Sequence, residues 1–136
     1  VEAALEGDPQ ITRDALVGIA EVARDAIDAL ASGDAARVLD AFGRGEEAMK
    51  RLGEVAGAPI VVPAHDALSA LAARHGGQAK PSGAGGGDIS WLVLPGDVEP
   101  QHVLGHLPQG CRHVPLDLFA PGASGGPRTT GTQDAP

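Results

Sequence analysis

The chain has 136 residues, with 18 acidic and 10 basic side chains, which give a formal net charge of −8. This length predicts a single domain, and the negative charge argues against binding nucleic acid or an anionic membrane through a basic face. Hydrophobic residues make up 43% of the chain but aromatic residues only 2%, so the core should consist of aliphatic side chains between closely packed helices.

The cysteine count and the apolar runs exclude further classes of protein. Cys111 is the only cysteine, so no intramolecular disulfide can form. No apolar run approaches the roughly 20 residues that cross a bilayer, and the first residues lack the pattern of a signal peptide. These observations predict a cytoplasmic protein that binds no membrane.

Two amphipathic helices are predicted in the first part of the chain. Asp8-Pro9 predicts the start of the first helix and Ser32-Gly33 its end. Its apolar stripe comprises Ala15, Leu16, Ile19, Val22, Ala23, Ala26, Ile27 and Leu30. Asp34 should cap the second helix, which ends between Gly53 and Gly57. The second stripe comprises Val38, Leu39, Phe42, Met49 and Leu52. Two such helices joined by a short turn predict an antiparallel pair.

Shorter elements follow. Residues 58–63, APIVVP, should be extended because a residue before proline avoids the helical region. A third helix is predicted near 64–75, then strands at 78–80 and 89–94 on either side of a glycine-rich loop.

The remaining segments complete the predicted fold. A short helix is expected over 98–107, and an edge strand over 111–119, where Pro115 fits an edge position. This order predicts an α+β domain over residues 1–120, with helices packed on one face of a small, mainly antiparallel sheet. Residues 121–136 contain no large apolar side chain and are predicted to form a disordered tail.

The glycine-rich loop carries the strongest functional signal. Residues 80–88 read Lys-Pro-Ser-Gly-Ala-Gly-Gly-Gly-Asp. Glycines let the backbone approach a ligand closely, and successive N–H groups can form an anion-binding nest, although this composition is also typical of a flexible turn. Ser82 adds a hydroxyl donor and Lys80 a compact positive charge suited to phosphate. The pattern is neither a Walker A loop, because no Lys follows the glycines, nor a Rossmann loop, because a strand follows instead of a helix.

The order of these segments resembles the C-terminal domain of the GHMP kinases, whose ferredoxin-like sheet carries helices on one face. Their third motif is a Lys followed by a Ser/Thr-Gly-Ala-Gly-Gly-Gly loop between two strands. The resemblance extends over about residues 10–119 and is sharpest over about 58–94. Within the superfamily, the Lys-Pro-Ser start and the Asp after the last Gly are most similar to phosphomevalonate kinases. Those enzymes usually continue with Cys-Gly, where this chain has Ile89-Ser90-Trp91.

The resemblance implies an ATP-dependent kinase that uses Mg²⁺ and, in this branch, phosphorylates 5-phosphomevalonate to 5-diphosphomevalonate in isoprenoid biosynthesis. Asp88 could contact a metal-bound water or orient the loop. The implied substrate- and phosphate-binding residues are Lys80, Ser82, Gly83, Ala84, Gly85, Gly86, Gly87 and Asp88.

The GHMP kinases carry their nucleotide loop, Pro-x-x-x-Gly-Leu-x-Ser-Ser-Ala, in an N-terminal domain. That domain also holds their catalytic Asp and Lys. No segment of this sequence matches that domain. The chain is therefore predicted to be a fragment that holds no catalytic residue and no metal site, and that needs this N-terminal half as its partner. Two alternatives stay open. The acceptor could be that of a mevalonate kinase or a GHMP sugar kinase, or the chain could be a non-catalytic metabolite-binding module.

Three other features suggest a site less strongly. His102 and His106 are spaced i, i+4, but no third ligand is placed nearby, so we interpret them as surface residues. Cys111 lacks the surroundings of a reactive thiolate and is interpreted as buried. Trp91, in the strand after the loop, is expected in the core, with a substrate contact as the less favoured alternative.

Overall fold

A computed structural model of the chain describes residues 9–83, 85–87 and 89–115. The predicted tail at 121–136 lies outside these residues. The helices are α1, Pro9–Ser32; α2, Ala35–Ala56; α3, Pro63–Ala73; and α4, Pro100–Leu104. The strands are β1, Gln78–Pro81, and β2, Ser90–Val93.

Helices α1 and α2 form the predicted hairpin, and its turn and caps follow from local sequence. Gly33 has a φ of 68°, and the Asp34 carboxylate accepts a hydrogen bond from the amide of Arg37 at 3.1 Å. That bond satisfies one of the amide groups that the first turn of α2 leaves without a helical partner. Gly57 ends α2 in the left-handed conformation, with a φ of 59°.

The sheet consists of β1 and β2, which pair in antiparallel orientation. Helices α2 and α3 pack against β1, and α3 also contacts β2. This arrangement confirms the α+β class. The strand predicted over 111–119 is wrong for residues 111–115, which have no regular structure, and residues 116–119 lie outside the described part of the chain. Pro115 has no amide hydrogen to donate to a neighbouring strand, and a positive φ at Gly110 turns the chain just before this segment.

The core is small and largely aliphatic, as the composition predicted. Its fully or nearly buried apolar side chains are Ala15, Ala29, Ala41, Met49, Leu52, Leu71, Ala72, Ala79 and Val103. The stripe predicted for α1 is only partly confirmed, because Leu16, Ile27 and Leu30 remain 38%, 64% and 62% exposed. Since α1 packs mainly against α2, only a narrow face that includes Ala15 and Ala29 is covered. No helix among residues 9–83 and 89–115 is long and apolar enough to cross a membrane.

Two leucines on different helices test this division between core and surface. Leu71 is 2% exposed and Leu30 is 62% exposed. We expect Leu71→Ala to lower the free energy of unfolding by about 2–5 kcal/mol, because it leaves a cavity in the core. The matched change Leu30→Ala should cost about 0.5 kcal/mol or less. Urea unfolding of both variants measures the difference, and equal losses would contradict this assignment of the core.

Candidate functional site

The glycine-rich loop connects β1 to β2 and is closed at its base by a backbone hydrogen bond. The amide of Ser82 donates to the carbonyl oxygen of Ile89 at 2.9 Å. This bond continues the strand pairing by one step and fixes where the loop begins and ends. Two of the predicted site residues, Ala84 and Asp88, lie outside the described residues.

The loop lies against the segment 60–62, which immediately precedes α3 and which we call the loop floor. The amide of Gly86 donates to the carbonyl oxygen of Ile60 at 2.9 Å. A Cβ on Gly85 would collide with that same oxygen, so the loop can reach the floor only if residue 85 has no side chain. The sequence predicted an extended segment here from its two prolines but provided no sign of what it would contact.

Several donors of the loop have no acceptor. The described glycines of the loop share a positive φ, between 63° and 105°: Gly83, Gly85, Gly86 and Gly87. Among the described residues, no group accepts a hydrogen bond from the amides of Gly83, Gly85 or Gly87. Amide groups left free in a glycine-rich turn are suited to bind an anion. Three of the predicted loop residues therefore have an amide hydrogen that no described group accepts.

Lys80 lies at the base of this loop. Its ammonium Nζ donates to the carbonyl oxygen of Pro81 at 2.8 Å and lies 5.9 Å from the centre of the Phe42 ring. A Cβ on Gly45 would lie 3.3 Å from Lys80 Cδ, so the absence of a side chain at 45 gives the lysine stem room beside α2. Burial of the ammonium lowers the pKa of Lys80 below its ordinary value.

Ser82 and Trp91 meet beside the loop. The indole Nε1–H of Trp91 donates to Ser82 Oγ at 3.0 Å. The expectation that Trp91 lies in the core is wrong, because its side chain is 38% exposed. In the described part of the sheet β2 pairs only with β1, so Trp91 lies on an edge strand there.

A polar network between α2 and α3 was not predicted from the sequence. Glu46, which is only 8% exposed, accepts a hydrogen bond from Ser69 Oγ at 2.6 Å and lies 3.5 Å from Lys50 Nζ. Lys50 also pairs with Asp66 at 3.2 Å. Burial acts to lower the pKa of Lys50, but the hydrogen bond to Asp66 and the two carboxylate charges outweigh it and raise this pKa.

The same network borders a cavity of about 510 Å³ between α2 and the segment that follows it. Lys50 and Asp66 both line this cavity, and each already neutralises the other. The cavity is also lined by Glu54, so its charged groups are one lysine and two carboxylates, which do not favour an anionic ligand. We assign the network a structural role. Ser69 Oγ also lies 3.3 Å from the carbonyl oxygen of Ala79, so the network ties α3 to the strand that leads into the loop.

His65 supports the loop floor from within α3. Its Nδ1 accepts a hydrogen bond from the amide of Val62 at 3.2 Å, which requires the tautomer with its proton on Nε2. The ring is 2% exposed, and Nε2 has no partner among the described residues. A buried donor without an acceptor costs about 1–3 kcal/mol, so this position gives up stability while holding the last residue of the floor.

The remaining candidates form no second site. His102 and His106 are exposed, and Nδ1 of His106 lies 2.9 Å from the carbonyl oxygen of His102. Cys111 is half-buried. No group of three His, Cys, Asp or Glu side chains within the described ranges could hold a metal ion.

Known proteins resemble the chain in sequence and in fold. Over 86 residues, or 63% of its length, it is 40% identical to the phosphomevalonate kinase of Streptomyces sp. (strain CL190). The chain matches 22% of that kinase, so it spans about a fifth of this relative. Over that part it is related to a kinase. No protein-family model matches the chain.

A solved structure supports the fold alone. The crystal structure of the Lin0012 protein from Listeria innocua superposes with a TM-score of 0.71 at 22% sequence identity. The match covers 76% of this chain and 29% of that protein. The helices and the two-stranded sheet therefore form an arrangement that also occurs within a longer polypeptide.

Substitutions at two glycines of nearly equal φ distinguish two costs to stability. One cost comes from the close contact with the floor, and the other comes from the backbone conformation. Gly85 and Gly86 have φ values of 82° and 85°, but only a Cβ at 85 would meet Ile60. We expect Gly86→Ala to cost about 1–2 kcal/mol from the left-handed conformation alone. Gly85→Ala should cost a further amount of about 1–3 kcal/mol from overpacking against the floor. Urea unfolding compares them, and equal costs would show that the loop does not rest on Ile60.

The buried ammonium of Lys80 should make stability depend on pH in the alkaline range. Because its folded-state pKa lies below the ordinary 10.5, the unfolded chain binds this proton more tightly. Between the two values the unfolded state holds more protons, so the contribution of Lys80 to the free energy of unfolding rises with pH. We expect the stability of the wild type relative to Lys80→Met to increase as the pH is raised towards 10.5.

Lys50→Met is the matched control for this experiment. The pKa of Lys50 is raised above 10.5, so its stabilising contribution is present below 10.5 and is lost as the pH rises through the raised value. The stability of the wild type relative to Lys50→Met should therefore fall at high pH. Urea unfolding across the alkaline range measures both differences, and the same trend for both lysines would contradict the burial of Lys80.

Proposed function

We propose that this chain is the C-terminal, substrate-binding domain of a GHMP-type kinase, and that its glycine loop binds a phosphate group of the substrate. The observation that carries the proposal is that the loop amides of Gly83, Gly85 and Gly87 have no acceptor among the described residues. The similarity to a phosphomevalonate kinase supports a phosphorylated small molecule as the ligand.

The most specific form of the proposal names 5-phosphomevalonate as the acceptor. An oxygen of its phosphate attacks the γ-phosphorus of ATP, a new P–O bond forms, and the bond from that phosphorus to the β-phosphate oxygen breaks. The products are 5-diphosphomevalonate and ADP. Both reacting groups are anions, so the protein must supply positioned donors and positive charge, which is the main requirement of phosphoryl transfer.

The loop residues have distinct roles in this proposal. The free amides and the Ser82 hydroxyl hold the phosphate oxygens, and Lys80 neutralises their charge. The Lys80 ammonium donates to Pro81 in this structure, so binding the phosphate requires it to exchange that carbonyl for a phosphate oxygen. A flexible four-carbon stem makes such an exchange possible. Ala84 and Asp88 are proposed to complete the loop.

The donor set fits a phosphate and not a cation. Amide and hydroxyl hydrogens carry partial positive charge, so the described loop residues would attract an anion and repel Mg²⁺. We therefore propose that the nucleotide, its Mg²⁺ and the catalytic residues are held mainly by the N-terminal half of a longer kinase, which is also the partner of this domain.

Binding measurements on the chain test the proposal. We expect 5-phosphomevalonate and pyrophosphate to bind, and mevalonate, which has no phosphate, not to bind. Ser82→Ala should weaken binding of the phosphorylated ligands about ten- to hundredfold, because it removes a hydrogen bond to a charged group. Lys80→Ala should also weaken binding, whereas Lys50→Ala, which removes the same charge from α2 and not from the loop, should not. Isothermal titration calorimetry measures all four proteins.

Two outcomes would contradict the proposal. The first is that neither phosphorylated ligand binds, and the second is that Lys80→Ala and Lys50→Ala weaken binding equally. The chain alone should also form no ADP from ATP and 5-phosphomevalonate, and ADP formation by the purified chain would disprove its proposed dependence on an N-terminal half.

A further inference from the structure

Trp91 lies outside the glycine loop, but its indole contacts a residue of that loop. Trp91 pairs directly with Lys80 across the two strands, and its Nε1–H donates to Ser82 Oγ at 3.0 Å. The side chain is 38% exposed, so burial of the ring does not account for its position. It is the only tryptophan in the chain.

This hydrogen bond decides what the Ser82 hydroxyl can do. A serine hydroxyl can donate one hydrogen bond and accept two, whereas an indole N–H can only donate. Because Trp91 donates, Ser82 Oγ is the acceptor in this contact, and its own proton must point to another group. Within the described residues no acceptor takes that proton, and in the proposed site it is donated to the ligand.

The contact also fixes the side chain and strengthens its donor. The backbone of Ser82 is held through its amide bond to Ile89, and the indole holds Oγ, so both ends of this short residue are positioned. A hydroxyl that accepts one hydrogen bond is polarised and donates the next one more strongly. A serine without the indole could rotate and use its proton elsewhere.

We propose that Trp91 is a positioning residue that holds the Ser82 hydroxyl as a hydrogen-bond donor to the phosphate bound by the glycine loop. This inference rests on the proposed phosphate-binding function of the loop.

A double-mutant cycle on Ser82 and Trp91 tests the inference, with pyrophosphate as the ligand and calorimetry as the measurement. Trp91→Phe keeps an aromatic ring but has no N–H, and it should weaken pyrophosphate binding about three- to tenfold, the value of one neutral hydrogen bond. In a Ser82→Ala background the same change should have less than about a twofold effect, because no hydroxyl remains to be positioned. A purely structural role of Trp91 would weaken binding equally in both backgrounds.

The fluorescence of Trp91 gives a second readout that leaves this residue unchanged. Saturation of the wild type with pyrophosphate should shift the tryptophan emission, with the same dissociation constant as calorimetry, and the shift should be much smaller in Ser82→Ala. If the wild type binds no pyrophosphate, both the proposed function and this inference fail. If it binds but Trp91→Phe binds equally well, or if the emission does not change, only the role of Trp91 is overturned.

Discussion

The contact between the glycine loop and the backbone of Ile60 is the constraint on which the site depends. A loop of small residues has no side chains with which to hold a conformation, so its shape must come from backbone hydrogen bonds. Among the described residues two such bonds are present, from Ser82 to Ile89 at the base and from Gly86 to Ile60 at the floor. The second bond requires a close approach that only glycine permits at 85. The pinned loop then leaves the amides of Gly83, Gly85 and Gly87 without an acceptor among the described residues, and this makes it suited to an anion.

The floor is in turn held by polar contacts that lie away from the loop. The His65 ring binds the amide of Val62 and leaves its other nitrogen buried without a partner, which costs stability. Glu46 is buried between Ser69 and Lys50 and joins α2 to α3. Only the Glu46 carboxylate of this group is buried, with its side chain 11% exposed, so losing the hydrogen bond from Ser69 would leave a buried charge less well compensated. The helices thus serve the site mainly by fixing where the floor meets the loop.

The sequence predicted the elements of this fold better than their contacts. The helix ends follow from local chemistry, because Asp34 satisfies a free amide and Gly57 adopts a left-handed conformation, and both effects act within one turn. The exposure of Trp91 and the contact of Ile60 with the loop depend on residues far apart in the chain. The spacing of apolar residues in the sequence does not predict such contacts. The apolar stripe of α1 is only partly buried for the same reason. A sequence pattern shows which face of a helix is apolar but not how much of that face a neighbour covers.

The loop combines neutral amide donors with one charged lysine, and this combination explains how an acidic chain can bind an anion. A net charge of −8 repels a phosphate at long range, but salt screens such repulsion beyond about 8–10 Å. Amide donors act only at contact, carry no proton that can be lost and cost no side-chain entropy when a ligand binds. They can therefore provide geometry, while Lys80, half-buried and bound to a carbonyl, provides charge once a phosphate displaces that carbonyl. In the proposed function, the loop selects a ligand by the shape of its phosphate, and the rest of the substrate is recognised by the proposed N-terminal half.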